Sequence, residues 1–329
     1  MKNILLLCGG GGSEHEISLL SAKYIFDTLA TCDDYKVFKV EILRNGDRID
    51  QDGYLCELRK AGEIFYPHSE EIHKLDFAIP CIHGPPGENG IIQSIFELMG
   101  LPYLGVGPEA SQICFNKVST KLWLDALQIP NTEYIFLGEF NEVNKHRAQV
   151  FFDQHKDIYI KAASQGSSVG CYHVNKEEYL EKSLTEAFKF SDFVLIEKTQ
   201  KARELEISVY EYEGQIHASL PGEIICPDGF YTFEQKYSKE SKTHTDIVAK
   251  NIPQKISDEM KDMAIKAFRG LKLKHLSRVD FFLTDDGKVF INEINTFPGM
   301  TPISMFPKMM ENNGHKFKTY LNNIIQSST

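Results

Sequence analysis

Acidic and amide side chains recur at two-residue spacing on both sides of a turn signal late in the chain. Residues 277–295 read SRVDFFLTDDGKVFINEIN, two apolar runs around Asp286-Gly287, a dipeptide that favours a hairpin because both positions tolerate positive φ. If those two residues form the loop, alternation along the strands places four polar side chains on one face: Arg278, Asp280, Glu293 and Asn295. The opposite face would then be apolar and consist of Val279, Phe281, Leu283, Phe290 and Ile294.

The polar face of this hairpin has two interpretations. Two opposed carboxylates repel each other, and with an amide oxygen they form the set of ligands that Mg²⁺ prefers, completed by water and substrate phosphates. Alternatively, the face is a salt-bridged surface on which Arg278 neutralises one acid. The next residues, TFPGMT at 296–301, end the strand at once and leave backbone N–H groups beside the acids. Loops that follow strands often carry chemistry, which favours a metal and substrate site.

Two loops in the first third of the chain follow predicted strands. The apolar run at 3–8 leads into four glycines at 9–12 and then a helical pattern, and the run at 75–82 ends in HGPPGENG at 83–90. Ligands of open α/β sheets bind at the carboxyl edge of the strands, which makes Glu14 and His83 candidates. Glu14 could also only stabilise the helix N-terminus, and a loop histidine is more often structural. His15 occupies the position of the third glycine, so the dinucleotide fingerprint is not met.

A lysine and a Gly/Ser-rich loop occur together in the middle of the chain. Lys161 lies on a predicted strand at 157–162, followed by SQGSSVG at 164–170. Such a loop can place backbone N–H groups on phosphate oxygens, and a strand lysine near a glycine-rich flap resembles phosphate handling in kinases. A plain hairpin loop is the alternative, because no G-K-[ST] of a P-loop follows. The polar stretch 228–246 predicts a lid or a disordered loop.

The composition excludes several classes of protein. A chain of 329 residues is long enough for two or three domains, and a net charge of -10 argues against a nucleic-acid partner. None of the seven cysteines forms a C-x-x-C pair, so buried free thiols in a reducing compartment are predicted. No apolar run is long enough for a signal peptide or a membrane span. We therefore expect a soluble, cytoplasmic protein that does not bind membranes.

Taken together, these motifs resemble the D-alanine–D-alanine ligases, ATP-grasp enzymes of peptidoglycan precursor synthesis. Each motif is weak by itself, but eight of them in the family's order are specific. They run from end to end of the chain: GGSEHEIS at 11–18, HGPPGENG at 83–90, GSSVG at 166–170, LIEK at 195–198, RELE at 203–206, KY at 236–237, RVD at 278–280 and NEINTFPGMT at 292–301.

The resemblance implies an α/β and α+β protein with three parts. An N-terminal parallel-sheet (Rossmann-like) substrate domain at 1–115 would precede a two-part ATP-grasp fold. Its central subdomain, 116–197, would carry the glycine-rich phosphate loop, and its C-terminal subdomain, 198–329, the metal site and the lid loop. ATP would lie between these two subdomains, and the protein would be a homodimer. The implied reaction joins two D-alanines through an acyl phosphate.

The resemblance also implies roles for particular residues. ATP would contact Lys117, Lys161, Gly166, Ser168, Val169, Glu197, Lys198, Glu204 and Lys236. Two Mg²⁺ (or Mn²⁺) would bind to Asp280, Glu293 and Asn295. The two D-alanines would be held by Glu14, His83, Arg278, Gly299, Ser304 and Met305. The catalytic residues would be Glu14, with Ser167 and Tyr237 hydrogen-bonded to it, and Arg278 with the N–H of Gly299, which stabilise the oxyanion.

Other activities remain open at this point. A related carboxylate–amine ligase could use D-serine or D-lactate as acceptor, although Tyr237 favours an amine because a histidine serves this part of the lid in the depsipeptide ligases. A nucleotide-dependent oxidoreductase on the loop at 9–12 is a second possibility. A non-catalytic ATP-grasp-like binding protein is a third, and the complete set of acids and lysines argues against it.

Overall fold

The structure is a computed structural model that describes residues 1–225 and 244–328. Cys226 and the predicted lid residues Lys236 and Tyr237 lie outside the described residues. In the described part of the chain, no helix is both long and apolar enough to span a bilayer. Six cysteines of this part are free thiols, and the four that are buried, as predicted, are Cys8, Cys56, Cys81 and Cys114.

The described residues form strands β1 to β17 and helices α1 to α9. The strands are β1 (Lys2–Gly9), β2 (Tyr35–Ile42), β3 (Arg48–Asp50), β4 (Glu57–Arg59), β5 (Glu63–Tyr66), β6 (Glu71–Lys74), β7 (Phe77–Cys81), β8 (Tyr134–Leu137), β9 (Ile158–Ala162), β10 (Cys171–Val174), β11 (Val194–Lys198), β12 (Ala202–Tyr212), β13 (Gln215–Ala218), β14 (Gly222–Ile225), β15 (His244–Asp246), β16 (Leu276–Thr284) and β17 (Val289–Asn295). The helices are α1 (His15–Leu29), α2 (Ile91–Met99), α3 (Pro108–Phe115), α4 (Lys117–Ala126), α5 (Glu142–His155), α6 (Leu180–Phe188), α7 (Gln254–Gly270), α8 (Met305–Asn312) and α9 (Phe317–Ser327).

The first sheet has the order β3-β2-β1-β7, with β1, β2 and β7 parallel. β1 is a continuous apolar run because it is buried on both faces, as parallel sheets are. Ile4 and Leu6 pack into one core, and Leu5 and Leu7 pack into another on the opposite face. The loops after β1 and β7 therefore emerge at the same edge of the sheet, as the sequence predicted.

Two further sheets carry the rest of the predicted site. The central sheet is antiparallel with the order β10-β9-β11-β8, and the other has the order β15-β14-β12-β16-β17 with β13 beside β12. A small sheet, β4-β5-β6, completes the described fold. Helices α8 and α9 follow the last strand, yet Phe306, Phe317 and Tyr320 share a core with Ile4 and Leu6 of the first sheet. The two ends of the chain thus form one core, while the predicted domain boundaries stay predictions.

The β16–β17 hairpin reaches the predicted pairing by a different route. Thr284 N–H donates to the carbonyl of Lys288 at 3.0 Å, and Gly287 N–H donates to Thr284 at 2.9 Å, with Gly287 at φ +80°. The loop therefore has three residues, 285–287, and the predicted two-residue loop is wrong. Asn292 is an extra residue in β17, and the resulting bulge shifts the register back. Because the two changes cancel, Asp280 still pairs with Glu293, and Arg278 pairs with Asn295.

The loop and the bulge correct the predicted apolar face. Leu283 pairs with Val289 rather than with Phe290, and Val289 and Ile291 are the buried residues. Phe290 instead pairs with Phe282 and lies half-buried on the polar side of the hairpin. A three-residue loop ending in a left-handed glycine is a common hairpin connection, but the sequence alone did not separate it from the two-residue loop.

Candidate active site

The Glu14 carboxylate lies where the first and the central sheets meet. Glu14 precedes α1, and its Oε1 accepts a hydrogen bond of 2.6 Å from the Ser167 hydroxyl. A Cβ atom on Gly166 would lie 3.4 Å, and one on Gly84 3.6 Å, from Glu14 Oε2. The carboxylate is therefore enclosed by two glycine-containing loops. The hydrogen bond expected from the sequence between Ser167 and Glu14 is present.

The loop that presents Ser167 has an uncommon backbone. Ser167 and Ser168 have φ of +50° and +62°, and Gly170 has φ of +67°. Left-handed residues other than glycine typically cost about 1–3 kcal/mol each and concentrate at ligand clamps. The N–H of Val169 donates within the loop to Gly166 O at 3.0 Å. We interpret the loop as a tight cap that is fixed partly by the bond from Ser167 to Glu14.

His83 is buried in a hydrogen-bond network that connects three segments. Its Nε2 lies 2.9 Å from the Ser21 hydroxyl, and its Nδ1 lies 3.7 Å from Glu88. Met300 N–H donates to the same Ser21 oxygen at 3.3 Å. Burial raises the pKa of Glu88, although His83 opposes this shift. The network therefore ties α1, the loop after β7 and the loop after β17 together, and Ser21 is a member that the sequence did not reveal.

Lys117 connects the cap loop with the hairpin. It begins α4, after Asn116, whose side chain accepts the Ser119 N–H at 3.0 Å and so caps the helix. The Lys117 ammonium donates to the Gln165 carbonyl at 2.6 Å and lies 3.8 Å from Glu293 Oε2. A cation that is expected to contact phosphates thus stands between the loop and one of the two hairpin acids.

Glu197 lies between two ammonium groups in the interior. Its two oxygens are each 2.5 Å from a lysine, Oε2 from Lys161 and Oε1 from Lys121. Burial by itself would raise the pKa of Glu197, but the two lysines outweigh it and hold the pKa at about 2. Lys161 also lies 3.5 Å from the Asn292 amide oxygen. The Glu197 carboxylate therefore lies between two ammonium groups, and its predicted contact with an adenine base stays a prediction.

The hairpin acids are accompanied by an arginine and a third acid. Arg278 donates to both oxygens of Asp280, at 2.7 and 2.8 Å, and Asn295 donates to Asp280 at 3.0 Å. Glu206 on β12, directly opposite Asp280, lies 3.2 Å from Arg278. Burial opposes the charge of Arg278, but the carboxylates outweigh burial and raise its pKa well above the ordinary value. The salt bridge between Arg278 and Asp280, which was the alternative interpretation of this face, is therefore present.

No cluster of three or more His, Cys, Asp and Glu side chains that could hold a metal occurs in residues 1–225 and 244–328. The predicted set contains only two acids, because its third member, Asn295, contributes an amide. Both acids and the amide do lie on one face, so their metal role stays a prediction. The two half-buried phenylalanines, Phe282 and Phe290, extend this face, and Glu204 pairs with Phe282 across β12 and β16.

The loop after β17, which was predicted to hold substrate, is joined by contacts between its own residues. Ser304 Oγ accepts the Thr301 N–H at 2.9 Å, and a Cβ on Gly299 would lie 3.1 Å from that oxygen. Met305 is buried at the start of α8, where a Cβ on Gly222 would meet its Cε. Ser304 and Gly299 thus lie together, whereas the Met305 side chain packs against β14.

Comparison with known proteins agrees with this arrangement over the whole chain. Residues 3–106 match the family model described as D-ala D-ala ligase N-terminus, and residues 123–326 match the one described as D-ala D-ala ligase C-terminus. The chain belongs to the D-alanine–D-alanine ligase family. A D-alanine--D-alanine ligase of Shewanella denitrificans is 53% identical over 325 residues, 98% of this chain and 97% of the relative.

Solved structures of the ligase family support the same fold. D-alanyl-alanine synthetase A from Vibrio cholerae superposes with a TM-score of 0.94 at 47% identity, covering 99% of this chain and 98% of that one. D-alanine-D-alanine ligase from Aeromonas hydrophila gives a TM-score of 0.85 at 46% identity, covering 98% and 99%. The predicted ATP-grasp fold with an N-terminal parallel sheet is therefore confirmed.

Three buried polar residues of this ligase were not found from its sequence: Ser21, Lys121 and Glu206. Lys121 follows Lys117 by one helical turn, and Glu206 lies in the RELE motif beside Glu204. Both could have been noted as charged residues near predicted site residues. Their burial, however, depends on packing between separate sheets, which no local pattern reports. Lys198 is exposed at the end of β11, and Lys236 and Tyr237 lie outside the described residues.

Proposed function

We propose that the protein joins two D-alanines to D-alanyl-D-alanine and converts ATP to ADP and phosphate, for peptidoglycan precursor synthesis in the cytoplasm. The observation that carries the proposal is the Ser167–Glu14 hydrogen bond. It brings a candidate phosphate loop onto a carboxylate able to hold an amine. The relatives at about half identity, named D-alanine--D-alanine ligases, support the same conclusion.

ATP would lie between the central sheet and the β12–β16–β17 sheet. Its phosphates would contact Lys117 and Lys161, whose ammonium groups face this space from α4 and β9, under the loop at 166–170. The base would lie beside Glu197 and the main chain after it, near the phenylalanines of the hairpin face, with Glu204 on the ribose hydroxyls. This assignment is supported by the position of both lysines near the hairpin, 3.8 Å from Glu293 for Lys117 and 3.5 Å from Asn292 for Lys161.

The hairpin face fits divalent cations by the chemistry of its donors. Asp280, Glu293 and Asn295 offer carboxylate and amide oxygens, which hard cations prefer, and two Mg²⁺ (or Mn²⁺) would be held there. When bound, the metals would offset negative charge on the transferring phosphoryl group. Arg278 would share Asp280 with them.

The residues of the chain would act mainly by positioning and by charge stabilisation. Glu14 would hold the ammonium of the first D-alanine, whose carboxylate attacks the γ-phosphate of ATP to give an acyl phosphate and ADP. The free amine of the second D-alanine, seated near His83, Ser304 and Met305, would then attack the carbonyl carbon. Phosphate leaves, and the amine loses a proton. Arg278 and the Gly299 N–H would stabilise the oxyanion in this step.

The lid would exclude water from the acyl phosphate. Lys236 would contact ATP, and Tyr237 would complete the hydrogen bonds to Glu14. A Tyr237→His variant is expected to gain use of D-lactate as acceptor at the expense of D-alanine. An unchanged acceptor preference would contradict this role. The proposal also includes a homodimer, which sedimentation of the purified protein would test.

The decisive measurement is ADP formation against D-alanine concentration, with L-alanine as control. We expect ADP release that depends on D-alanine and is accompanied by the dipeptide product. A panel containing D-serine and D-lactate would identify a related ligase with another acceptor. ATP binding without any ADP formation would instead support a non-catalytic binding protein and contradict the proposal.

A further inference from the structure

Lys121 is a buried cation whose partner belongs to the nucleotide side of the protein. It lies inside α4 with 1% exposure. Its ammonium is 2.5 Å from Glu197 Oε1, 3.4 Å from the Thr132 carbonyl and 5.7 Å from the centre of the Tyr134 ring. Burying a charge is costly even when it is paired. A methionine would fill a similar volume, so packing alone gives no reason for an ammonium group here.

The reason becomes apparent when the charges around Glu197 are added. Lys161 and Glu197 by themselves would form a neutral pair, and the attraction of Lys161 for an outside anion would be largely cancelled. Lys121 supplies a second positive charge from the buried side, so the three groups together carry one excess positive charge. Of the two lysines, Lys161 has the more exposed side chain, 14% against 2%. The excess positive charge can therefore attract an anion that approaches from the side of Lys161.

Other charges near this group do not reverse that balance. Asp125, which also acts on Lys121, accepts hydrogen bonds from Asn131 and Tyr134 on the exposed side of α4, at 2.7 Å each. Glu293, which acts on Lys161, lies 3.8 Å from Lys117. Each of these acids thus has another polar partner of its own.

We propose that Lys121 is a positioning residue for the nucleotide: it neutralises Glu197 from the buried side and leaves the charge of Lys161 for the phosphates of ATP. This inference rests on the proposed binding of ATP beside Lys161. It predicts that Lys121 determines the affinity for ATP while leaving the affinity for D-alanine unchanged.

The first test is calorimetric binding of ATP with Mg²⁺ to the wild-type protein and to Lys121→Met. We expect the dissociation constant to rise about tenfold in the variant, the effect of 1.4 kcal/mol, while KM for D-alanine stays constant. Lys121→Arg keeps the charge and should recover much of the affinity. Lys288→Met, which removes a lysine from a surface pair with Asp286, is the matched control and should bind ATP as the wild type does.

A double-mutant cycle with Glu197→Gln separates this role from a merely structural one. A neutral Glu197 no longer competes with the phosphates for the ammonium of Lys161, so Lys121→Met should weaken ATP binding by less than about threefold in that background, a non-additivity expected for residues in direct contact. An unspecific loss of packing would produce the same loss in both backgrounds. If Lys121→Met alone does not fold, the ATP affinity of the double variant is compared with that of Glu197→Gln, and this comparison tests the proposal.

The outcomes distinguish this inference from the proposed function. If the wild-type protein binds no ATP, the proposed function fails. If the wild type binds ATP and a folded Lys121→Met binds it equally well, the proposed function stands and the role of Lys121 is refuted. Equal losses in both arms of the cycle would also refute it.

Discussion

Carboxylates lie beside cations both in the interior at Glu197 and on the face of the β16–β17 hairpin. The two regions differ in how much of the carboxylate side chain is exposed to solvent. Glu197 has 3% of its side chain exposed and two lysines at 2.5 Å. Glu293 has 34% exposed, with Lys117 at 3.8 Å. A carboxylate that lies between two ammonium groups and is shielded from water is less accessible to a further ligand than one beside solvent. Burial therefore distinguishes these two acids where residue type does not.

The largest expected effect is on stability, from Glu197→Gln. The variant leaves two lysines in the interior without their acid, and breaking a buried pair typically lowers the free energy of unfolding by about 3–5 kcal/mol. Urea unfolding at neutral pH measures this change. Asp286→Asn is the matched control, because its partner Lys288 is on the surface and exposed pairs contribute little. Equal stability of the two variants would show that the buried acid contributes no more to stability than the exposed one.

The next effect concerns turnover, from Glu293→Gln. We expect the protein to fold normally and to lose at least about a hundredfold in turnover, the usual consequence of removing an electrostatic group from a reacting site. ADP formation at increasing Mg²⁺ measures the loss. Near-normal activity at saturating Mg²⁺ would contradict the proposed role of Glu293 as a metal ligand and favour the salt-bridged interpretation of this face.

His275 extends the comparison of buried and exposed charged groups. It is a buried base that accepts a backbone hydrogen bond. Its Nδ1 accepts the Gly105 N–H at 3.0 Å, and burial lowers its pKa from 6.5 to about 4. Between these values the unfolded chain binds more protons than the folded one, so stability falls as the pH falls. The loss between pH 6.5 and pH 5 should be about 1.6 kcal/mol.

Denaturant unfolding at several pH values would measure this contribution. His275→Asn suits the left-handed backbone at this position, φ +63°, because asparagine adopts it readily. The variant should be less sensitive to acid than the wild type, whereas His146→Gln on the surface should leave the pH profile unchanged. A profile that His275→Asn does not alter would show that other groups cause the acid sensitivity.

The smallest expected effect comes from a contact of intermediate exposure, the bond from Ser167 to Glu14. Ser167→Ala should lower kcat/KM for D-alanine about tenfold, the lower end of the range for a hydrogen bond to a charged group. Ser13→Ala, on the exposed end of the glycine loop, is the control and should leave kcat/KM unchanged. Equal values for the two variants would make the bond a feature of loop packing only.

Much of the fold could be predicted because the relevant signals are local. The apolar run of β1, the glycines after it and the alternation along β16 are each set by a few neighbouring residues. The hairpin shows both the strength and the limit of such signals. The pairing of Asp280 with Glu293 was correct, but the loop was one residue longer than predicted and a bulge at Asn292 compensated. A bulge depends on how the strand packs, so Phe290 was placed on the wrong face.

The sequence by itself determined which residues could do chemistry and that their loops follow strands, because strand alternation and turn preferences act over a few residues. Only the tertiary structure decided that Lys121 and Glu206 are buried beside Glu197 and Arg278, and that α8 and α9 share a core with the first sheet. These facts depend on contacts between segments far apart in the chain. The free energy of such contacts comes from excluding water between whole surfaces, which no short stretch of sequence records.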